Sequence, residues 1–340
     1  MNSNLIEIIS VSQASTWNSW AVQYFFFIGL SIGGVLLTIP ALVLRKSHWL
    51  PIARLSLIVA VTTGLVAPVA LLADLHQPAR FYNFYLHFTP TSWMSWGAFL
   101  LPTYLLSLML FGFQALYRDR DNRHSLTRLA AIATSVLGAG IALYTGSEMG
   151  ILISRVLWQV GWLVPGYLIS GLAGAAGLAL VLNNLQSDTS QDANQRLVNW
   201  LNLFLILTGA WIVAWGGAGH LNLSNSGMEL LRLMLVYQPV ESLLLWIGLG
   251  LALPLLLGLI NQSAMNVVTG LLAVFGAWML RWVMFIGGQG IPKNGAGFYL
   301  FDLPLGTEGL LGILGSLGLW MVFLIVIRTL LSQYHPQARA

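Results

Sequence analysis

The chain alternates between long apolar runs and short polar intervals. Each run approaches the length of about 20 residues that an α-helix needs to cross the hydrocarbon core of a bilayer. The predicted spans, numbered 1 to 9 in chain order, cover residues 17–44, 53–73, 92–116, 127–147, 161–182, 197–217, 239–260, 265–286 and 308–330. None of the runs shows the period-two alternation of barrel strands, and a membrane-spanning backbone must satisfy its own hydrogen bonds. The pattern therefore predicts an all-α polytopic membrane protein.

A faint repeat relates the first and second halves of the chain. The pattern Tyr-x4-Gly-Leu-x2-Gly that starts at Tyr24 returns in a shortened form at Tyr167. Small residues at such positions let membrane helices approach closely. The repeat favours one membrane domain over residues 1–340, built from a four-helix bundle (1–147), a second four-helix bundle (161–286) and a ninth helix (308–330).

Composition excludes several functional classes. Hydrophobic residues make up 57% of the chain and charged residues only 8%, against about 25% charged residues in soluble domains. A nucleic-acid-binding surface is therefore not expected. The absence of cysteine excludes disulfides and thiolate-held iron–sulfur clusters. None of the six histidines falls in the middle of a predicted span. We expect neither haem nor a metal site in this protein.

The distribution of Lys and Arg predicts the orientation, because cytoplasmic loops carry an excess of both residues. Ten of the 15 lie on one side, in the odd-numbered loops and at the C-terminal end: Arg45, Lys46, Arg54, Arg118, Arg120, Arg123, Arg128, Arg196, Arg328 and Arg339. Five lie on the side of the N-terminus: Arg80, Arg155, Arg232, Arg281 and Lys293. We therefore expect the N-terminus outside and the C-terminus in the cytoplasm.

Polar and ionisable residues gather at the predicted outer ends of the first spans. Placing such groups near the membrane core costs free energy, so they are candidates for a functional role. The candidates are Gln23 and Tyr24 in span 1, Asp74, His76 and Arg80 around the end of span 2, Tyr144 and Glu148 at the end of span 4, and Arg155 before span 5. Tyr144 and Glu148 share a helix face at a spacing of four. An apolar wall with a hydrogen-bonding rim and a carboxylate suits a ligand that lives in the bilayer, namely a quinone or quinol.

Structural explanations exist for the same residues. Asp74 with Arg80, and Glu148 with Arg155, would also serve as ion pairs that hold loops. Gln23 would also serve as a hydrogen bond between helices. A transporter and a passive anchor are the alternative functions. Transporters place their sites near the midplane between broken helices, whereas this cluster is near the surface, and an anchor does not explain the cluster.

Several segments carry a resemblance to a known family. Residues 73–100, ADLHQPARFYNFYLHFTPTSWMSWGAFL, are similar to a D-L-x-x-P-x-R-F…H-F-x-P-x-S-x-M-S-W-G-A segment of the polysulfide reductase/NrfD family of membrane subunits. The stretches WAVQYFFFIG (20–29), YTGSE (144–148), SRVLW (154–158) and GTEGLLGILGSLGLW (306–320) also resemble that family. The likeness extends over the length of the protein.

The resemblance implies a subunit of a quinol-dependent oxidoreductase complex in the bacterial inner membrane. Such subunits anchor a molybdopterin catalytic subunit and a ferredoxin-like iron–sulfur subunit on the outer, periplasmic face. They oxidise quinol, with menaquinol expected here, and pass two electrons outward. The substrate of the complex would be an oxidised sulfur compound, tetrathionate first, with polysulfide or thiosulfate as alternatives. This protein would carry no sulfur-reducing site of its own.

The resemblance also implies roles for individual residues. Asp74 matches the acidic residue before P-A-R-F, and a partly desolvated carboxylate of this kind would serve as a general base for quinol. Tyr144 would hydrogen-bond a quinol oxygen, and Gln23 with Tyr24 stand where relatives have their span-1 ligand. Protons would leave through His76 or Glu148. Arg80 or Arg155 would hold the carboxylates or stabilise a developing anion.

The orientation is testable with reporter fusions. A reporter joined after Arg120 should be active in the cytoplasm, and one joined near Asn294 should be active outside, because the Lys and Arg excess faces the cytoplasm. The opposite pattern would reverse the topology and move the polar cluster to the cytoplasmic side.

Overall fold

Long apolar runs with few charges fold as helices, since only a helix pairs the backbone groups of a single span internally. The computed structural model describes residues 17–119, 124–186, 190–292 and 297–333. Within these residues, nine helices are long and apolar enough to cross a membrane: Ser19–Leu42, Ser47–Asp74, Trp93–Arg118, Ser125–Gly150, Val160–Asn184, Gln191–His220, Val240–Ile260, Ser263–Gly290 and Leu310–Gln333. The same residues contain no strand. The all-α prediction is confirmed.

Each predicted span coincides with one of these helices. The largest differences are at the starts of spans 2 and 6, which begin at Ser47 and Gln191 rather than at residues 53 and 197. Polar residues continue these helices beyond the apolar run, which hydropathy alone does not detect. Four cations used for the orientation, Arg120, Arg123, Lys293 and Arg339, lie outside the described residues, and the orientation stays a prediction.

Several helices contain stretches of wider π-helical winding. The longest is Val240–Ala252 in span 7, and shorter ones are Gln114–Arg118 at the end of span 3 and Val283–Gly287 in span 8. We expected unbroken helices, and the spans are continuous although their winding is not uniform. Short helices also occur in two connections, Asn83–Leu86 between spans 2 and 3 and Asn225–Arg232 between spans 6 and 7.

Spans 1 and 5 form the centre of the packing. Span 1 lies against spans 2, 4 and 5, span 5 also contacts spans 6 and 8, and span 9 packs on spans 1 and 2. The crossing of spans 1 and 5 depends on Gly33, because a Cβ atom at this position would overlap the carbonyl oxygen of Gly171. Close contact through small residues is typical of membrane helices. The division into two four-helix bundles stays a prediction.

A buried arginine joins three of the spans. Arg281 of span 8 donates to the carbonyl oxygens of Phe25 in span 1 and Tyr167 in span 5, both at 3.1 Å, and to the Ser170 hydroxyl at 2.9 Å. The side chain is 1% exposed. A charged group in the membrane needs polar partners inside the protein, and here backbone carbonyls supply most of them. Arg281 therefore fixes spans 1, 5 and 8 relative to one another.

Candidate functional site

Spans 2, 3 and 4 and the connection between spans 2 and 3 line a cavity of about 210 Å³. Its wall is almost wholly apolar and carries three side chains that can exchange protons, Tyr85, Tyr144 and Glu148. The lining residues are Pro68, Leu71, Leu72, Leu75, Phe81, Phe84, Tyr85, Met94, Gly97, Ala98, Leu101, Pro102, Leu105, Tyr144 and Glu148. A concave apolar site with a few convergent polar groups is the usual form of a small-molecule site.

Tyr144 and Glu148 interact as their spacing on span 4 predicts. The side chains of Tyr144 and Glu148 interact electrostatically, and the Tyr144 side chain is buried. A phenol hydroxyl can donate to a carboxylate and keep its oxygen lone pairs available for a ligand. The pair can therefore bind a hydroxyl group in the cavity and receive its proton.

A second carboxyl group lies close to this pair. Asp74, the last residue of span 2, interacts electrostatically with Glu148, with His76 and with the distant Glu308. The backbone N–H of Ala21, in the first turn of span 1, lies near its carboxyl group. The first N–H groups of a helix have no partner within the helix and favour a negative charge nearby. The start of span 1 thus holds Asp74 at the level of Glu148.

These carboxyl groups have no arginine partner among the described residues. An ion pair in that part of the chain joins Arg232 and Glu229 at 2.7 Å, and it involves neither Asp74 nor Glu148. Arg80 is exposed in the turn Pro78–Arg80 and does not line the cavity. The alternative in which Asp74 and Arg80 form a structural ion pair is therefore not seen. Among the described residues, no arginine side chain neutralises the two carboxyl groups.

Tyr24 completes the cluster from span 1. Its side chain is 1% exposed and interacts electrostatically with Glu148 and Tyr144. Among the described residues its hydroxyl has no hydrogen-bond partner. A buried hydroxyl without a partner is unusual, and it leaves Tyr24 free to bind a water molecule or a ligand behind Tyr144. Tyr24 does not itself line the cavity.

The neighbouring Gln23 points elsewhere. Its side-chain amide donates to the Ser316 hydroxyl at 2.5 Å and accepts from the indole N–H of Trp278 at 2.6 Å. The residue is fully buried. The structure therefore places Gln23 between spans 1, 8 and 9, which matches the helix–helix alternative and does not bring it to the cavity.

Arg155 and His76 also lie apart from the cavity. Arg155 donates to the backbone carbonyl oxygens of Gln289 and Ile291 at 2.7 and 2.8 Å. Burial lowers the pKa of this guanidinium from its usual value, and it lines a different cavity beside Arg232. The expected ion pair of Glu148 with Arg155 does not form. His76 is exposed, beside Asp74 on the water side.

Two residues of the site were not anticipated from the sequence. Glu308, in the loop before span 9, interacts electrostatically with Asp74, and no local pattern indicates this proximity. Gly97 lies against Tyr144, and a Cβ atom on Gly97 would overlap the phenol ring and its hydroxyl. The sequence shows the small residue Gly97 in the W-G-A stretch, but it does not show that Tyr144 packs against it. The missing side chain at Gly97 makes the space that Tyr144 occupies.

Sequence comparisons give the family. The profile described as "Polysulphide reductase, NrfD" matches residues 8–293. The protein belongs to the polysulphide reductase NrfD family. The family resemblance read from the motifs is thereby confirmed, together with its multi-pass membrane architecture.

Individual relatives of this NrfD-family protein come from reductase complexes. It is similar to a tetrathionate reductase subunit of Salmonella typhimurium, with 32% identity over 96% of this sequence and 95% of the relative. It is similar to a polysulfide reductase chain of Wolinella succinogenes, with 24% identity over 82% and 97% of the two sequences. An Hdr-like menaquinol oxidoreductase integral membrane subunit of Archaeoglobus fulgidus shares 22% identity over 77% of this sequence and 64% of the relative.

The contact between Gly97 and Tyr144 can be tested by a double-mutant cycle. Gly97→Ala should lower the free energy of unfolding by about 1–3 kcal/mol, because the added methyl group overpacks against the phenol ring. The same substitution in a Tyr144→Ala background should be nearly neutral, since the clash is gone. Thermal unfolding of the purified proteins measures both effects.

Gly140→Ala in span 4 is the matched control. Nothing lies within 4 Å of a Cβ atom at Gly140, so this change should be neutral or stabilising by up to about 1 kcal/mol through helix propensity. An equal loss for Gly97→Ala with and without Tyr144 would show that this contact does not determine the geometry.

Proposed function

We propose that this protein is the quinol-oxidising membrane subunit of a respiratory molybdopterin reductase complex, with tetrathionate as the foremost substrate of the complex. The observation that carries the proposal is an apolar cavity lined by Tyr144 and Glu148, with a second carboxyl group, Asp74, beside Glu148. Among the described residues neither carboxyl group has an arginine counter-ion. Such a site can accept protons from an apolar, membrane-dissolved donor.

The relatives support the electron donor and the kind of complex. One relative is by name a menaquinol oxidoreductase membrane subunit, and the relative with 32% identity is by name a tetrathionate reductase subunit. We infer that this protein takes menaquinol from the bilayer. We further infer that it docks a ferredoxin-like iron–sulfur subunit and a molybdopterin subunit on its outer face, in the bacterial inner membrane. Polysulfide or thiosulfate remains the alternative substrate.

Quinol oxidation releases two electrons and two protons, so the site needs two proton acceptors and an electron acceptor. Glu148 lines the cavity and is positioned to receive a proton from a quinol hydroxyl that is hydrogen-bonded to Tyr144. Asp74, which interacts with Glu148 and lies next to the exposed His76, is positioned to pass protons to water. The two electrons leave to the iron–sulfur partner. Proton transfer by positioned side chains is general base catalysis.

Of the residues predicted from the sequence, Tyr144 and Glu148 line the proposed head-group site, and Asp74 and Tyr24 lie beside them. His76 lies at the proposed proton exit. Gln23 and Arg155 take structural roles through the contacts described above, and Arg80 lies outside the cavity. A transporter would need its site near the midplane, whereas Tyr144 and Glu148 lie near one end of span 4.

Substitution of the carboxyl groups tests the proposal. Glu148→Gln and Asp74→Asn should each lower quinol oxidation by about 10²–10⁴-fold, the range that a positioned general base contributes. Tyr144→Phe should be milder, since it removes one hydrogen bond worth about 0.5–1.5 kcal/mol. The measurement is quinol oxidation by the solubilised complex, normalised to the amount of assembled partner subunits.

Asp192→Asn is the control, because Asp192 is an exposed carboxylate at the opposite end of the spans, in the first turn of span 6. It should retain the wild-type rate. Wild-type activity per assembled complex in both Glu148→Gln and Asp74→Asn would contradict the proposed site, and loss of assembly without loss of specific activity would favour a structural role.

A further inference from the structure

We propose that an anionic phospholipid binds at the opposite end of span 2 from the cavity, where Arg196 of span 6 lies over the ring of Trp49. The phosphate of the lipid binds the Arg196 guanidinium, and an acyl chain lies along span 6 below it. This lipid site shares no residue with the proposed quinol site, and the inference does not rest on the proposed function.

The ring of Trp49 joins spans 2 and 6 at this end. It packs edge-on against the ring of Trp200, with centroids 5.5 Å apart, and the Cζ atom of Arg196 lies 5.8 Å from the Trp49 ring centroid. A guanidinium at this distance is attracted by the face of an indole ring. The backbone N–H of Trp49 donates to the carbonyl oxygen of Lys46 at 2.9 Å. The preceding turn and the guanidinium are therefore held next to each other.

The Arg196 guanidinium has no hydrogen-bond partner among the described residues, although the residue is half-buried. In the same part of the chain it forms no ion pair with Asp192, which lies one helical turn earlier. The more buried Arg155 and Arg281 differ, because both donate to backbone carbonyl oxygens. A guanidinium presents five N–H donors in a planar fork that fits a phosphate. The unpaired donors of Arg196 therefore indicate an oxyanion ligand.

The depth of Arg196 and Trp49 is that of the lipid head groups. Span 6 has 30 residues, so it is about 45 Å long at 1.5 Å per residue, against a hydrocarbon core of about 30 Å. A centred span 6 extends beyond the core by about five residues at each end, and Arg196 is its sixth residue. Span 2 has 28 residues and Trp49 is its third, which places Trp49 near the same boundary. The oxyanion at this depth is a lipid phosphate.

An apolar stripe runs along span 6 from the guanidinium into the membrane. Trp200, Leu203 and Leu207 follow Arg196 at spacings of four, three and four residues, which places all four side chains on one face of the helix. Leu203 is 44% exposed and Leu207 is 41% exposed. These leucines lie within the hydrocarbon core, so their exposed surface faces lipid. A cation at the head of a lipid-facing apolar stripe matches the phosphate and the acyl chain of one phospholipid.

The charge around the site favours an anionic lipid over a zwitterionic one. Arg45 and Lys46 are exposed in the turn before span 2, and the Lys46 backbone N–H fixes that turn by donating to the Pro40 carbonyl oxygen at 3.0 Å. With Arg196 they make three cations against the single carboxylate of Asp192. A zwitterionic head group brings its own cation to this positive surface, whereas an anionic head group leaves the attraction intact.

The test measures lipid binding to the purified, delipidated complex by native mass spectrometry. The probes are phosphatidylglycerol, phosphatidylcholine with the same acyl chains, and inorganic phosphate as a competitor. The wild type should bind phosphatidylglycerol more tightly than phosphatidylcholine, and inorganic phosphate should not displace it, because phosphate lacks acyl chains. Arg196→Gln should weaken phosphatidylglycerol binding about tenfold, since it removes charge-assisted hydrogen bonds to the lipid phosphate.

Arg128→Gln is the matched control. Arg128 is an exposed cation in the first turn of span 4, at the same end of the spans as Arg196. It has no aromatic contact among the described residues, so its substitution should change phosphatidylglycerol binding by less than about twofold. If Arg196→Gln does not assemble, Lys46→Gln makes the same test at an exposed loop position and should weaken binding about fivefold.

A selective loss of phosphatidylglycerol binding in Arg196→Gln, or in Lys46→Gln, supports the lipid site. Equal losses in the variant and in Arg128→Gln, or no loss in either, would show that the lipid is attracted by the positive end of the protein as a whole and would overturn the site. Equal binding of phosphatidylcholine, or displacement by inorganic phosphate, would overturn the assignment to an anionic lipid. Quinol oxidation is not the readout, so none of these results decides the proposed function.

Discussion

An ionisable or polar side chain that lies within a membrane span has to find its partners inside the protein, and this requirement explains where such groups lie in this molecule. Arg281 donates to backbone carbonyls and to Ser170. Gln23 is bound by Trp278 and Ser316. Asp74 and Glu148 differ, because neither carboxyl group forms an ion pair with a Lys or Arg side chain among the described residues. Glu148 lines the cavity together with Tyr144, and Asp74 lies beside Glu148. The proposed chemistry depends on this arrangement.

Much of the architecture was predictable from single residues and their spacing. Apolar length decides whether a segment crosses the bilayer, and alternating direction decides which span ends share a side. The common depth of Asp74, Tyr144 and Glu148 followed from this, as did the contact between Tyr144 and Glu148. The depth of a residue in the membrane does not tell in which direction its side chain points around the helix axis. Gln23 and Tyr24 are neighbours at one depth, yet successive residues point about 100° apart, and only Tyr24 faces Glu148.

The parts that the sequence did not predict are contacts between distant segments. Glu308 approaches Asp74, and Gly97 makes room for Tyr144. Arg155 was expected near the carboxyl groups but binds carbonyls at the end of span 8. Local periodicity contains no information about which helices are neighbours, and a single sequence holds no covariation. The π-helical winding of Val240–Ala252 was equally hidden, since its apolar composition suits an ordinary helix.

In the proposed site a quinol head group binds beside Tyr144 and Glu148. Photolabelling of the assembled complex with an azido-quinone analogue, followed by peptide mapping, locates the bound head group. We expect label in span 3 between Gly97 and Leu105 and near the end of span 4 between Tyr144 and Glu148, and we expect an excess of unmodified quinol to remove it. Label concentrated at the cavity beside Arg155 and Arg232, or label that unmodified quinol does not displace, would rule out this site.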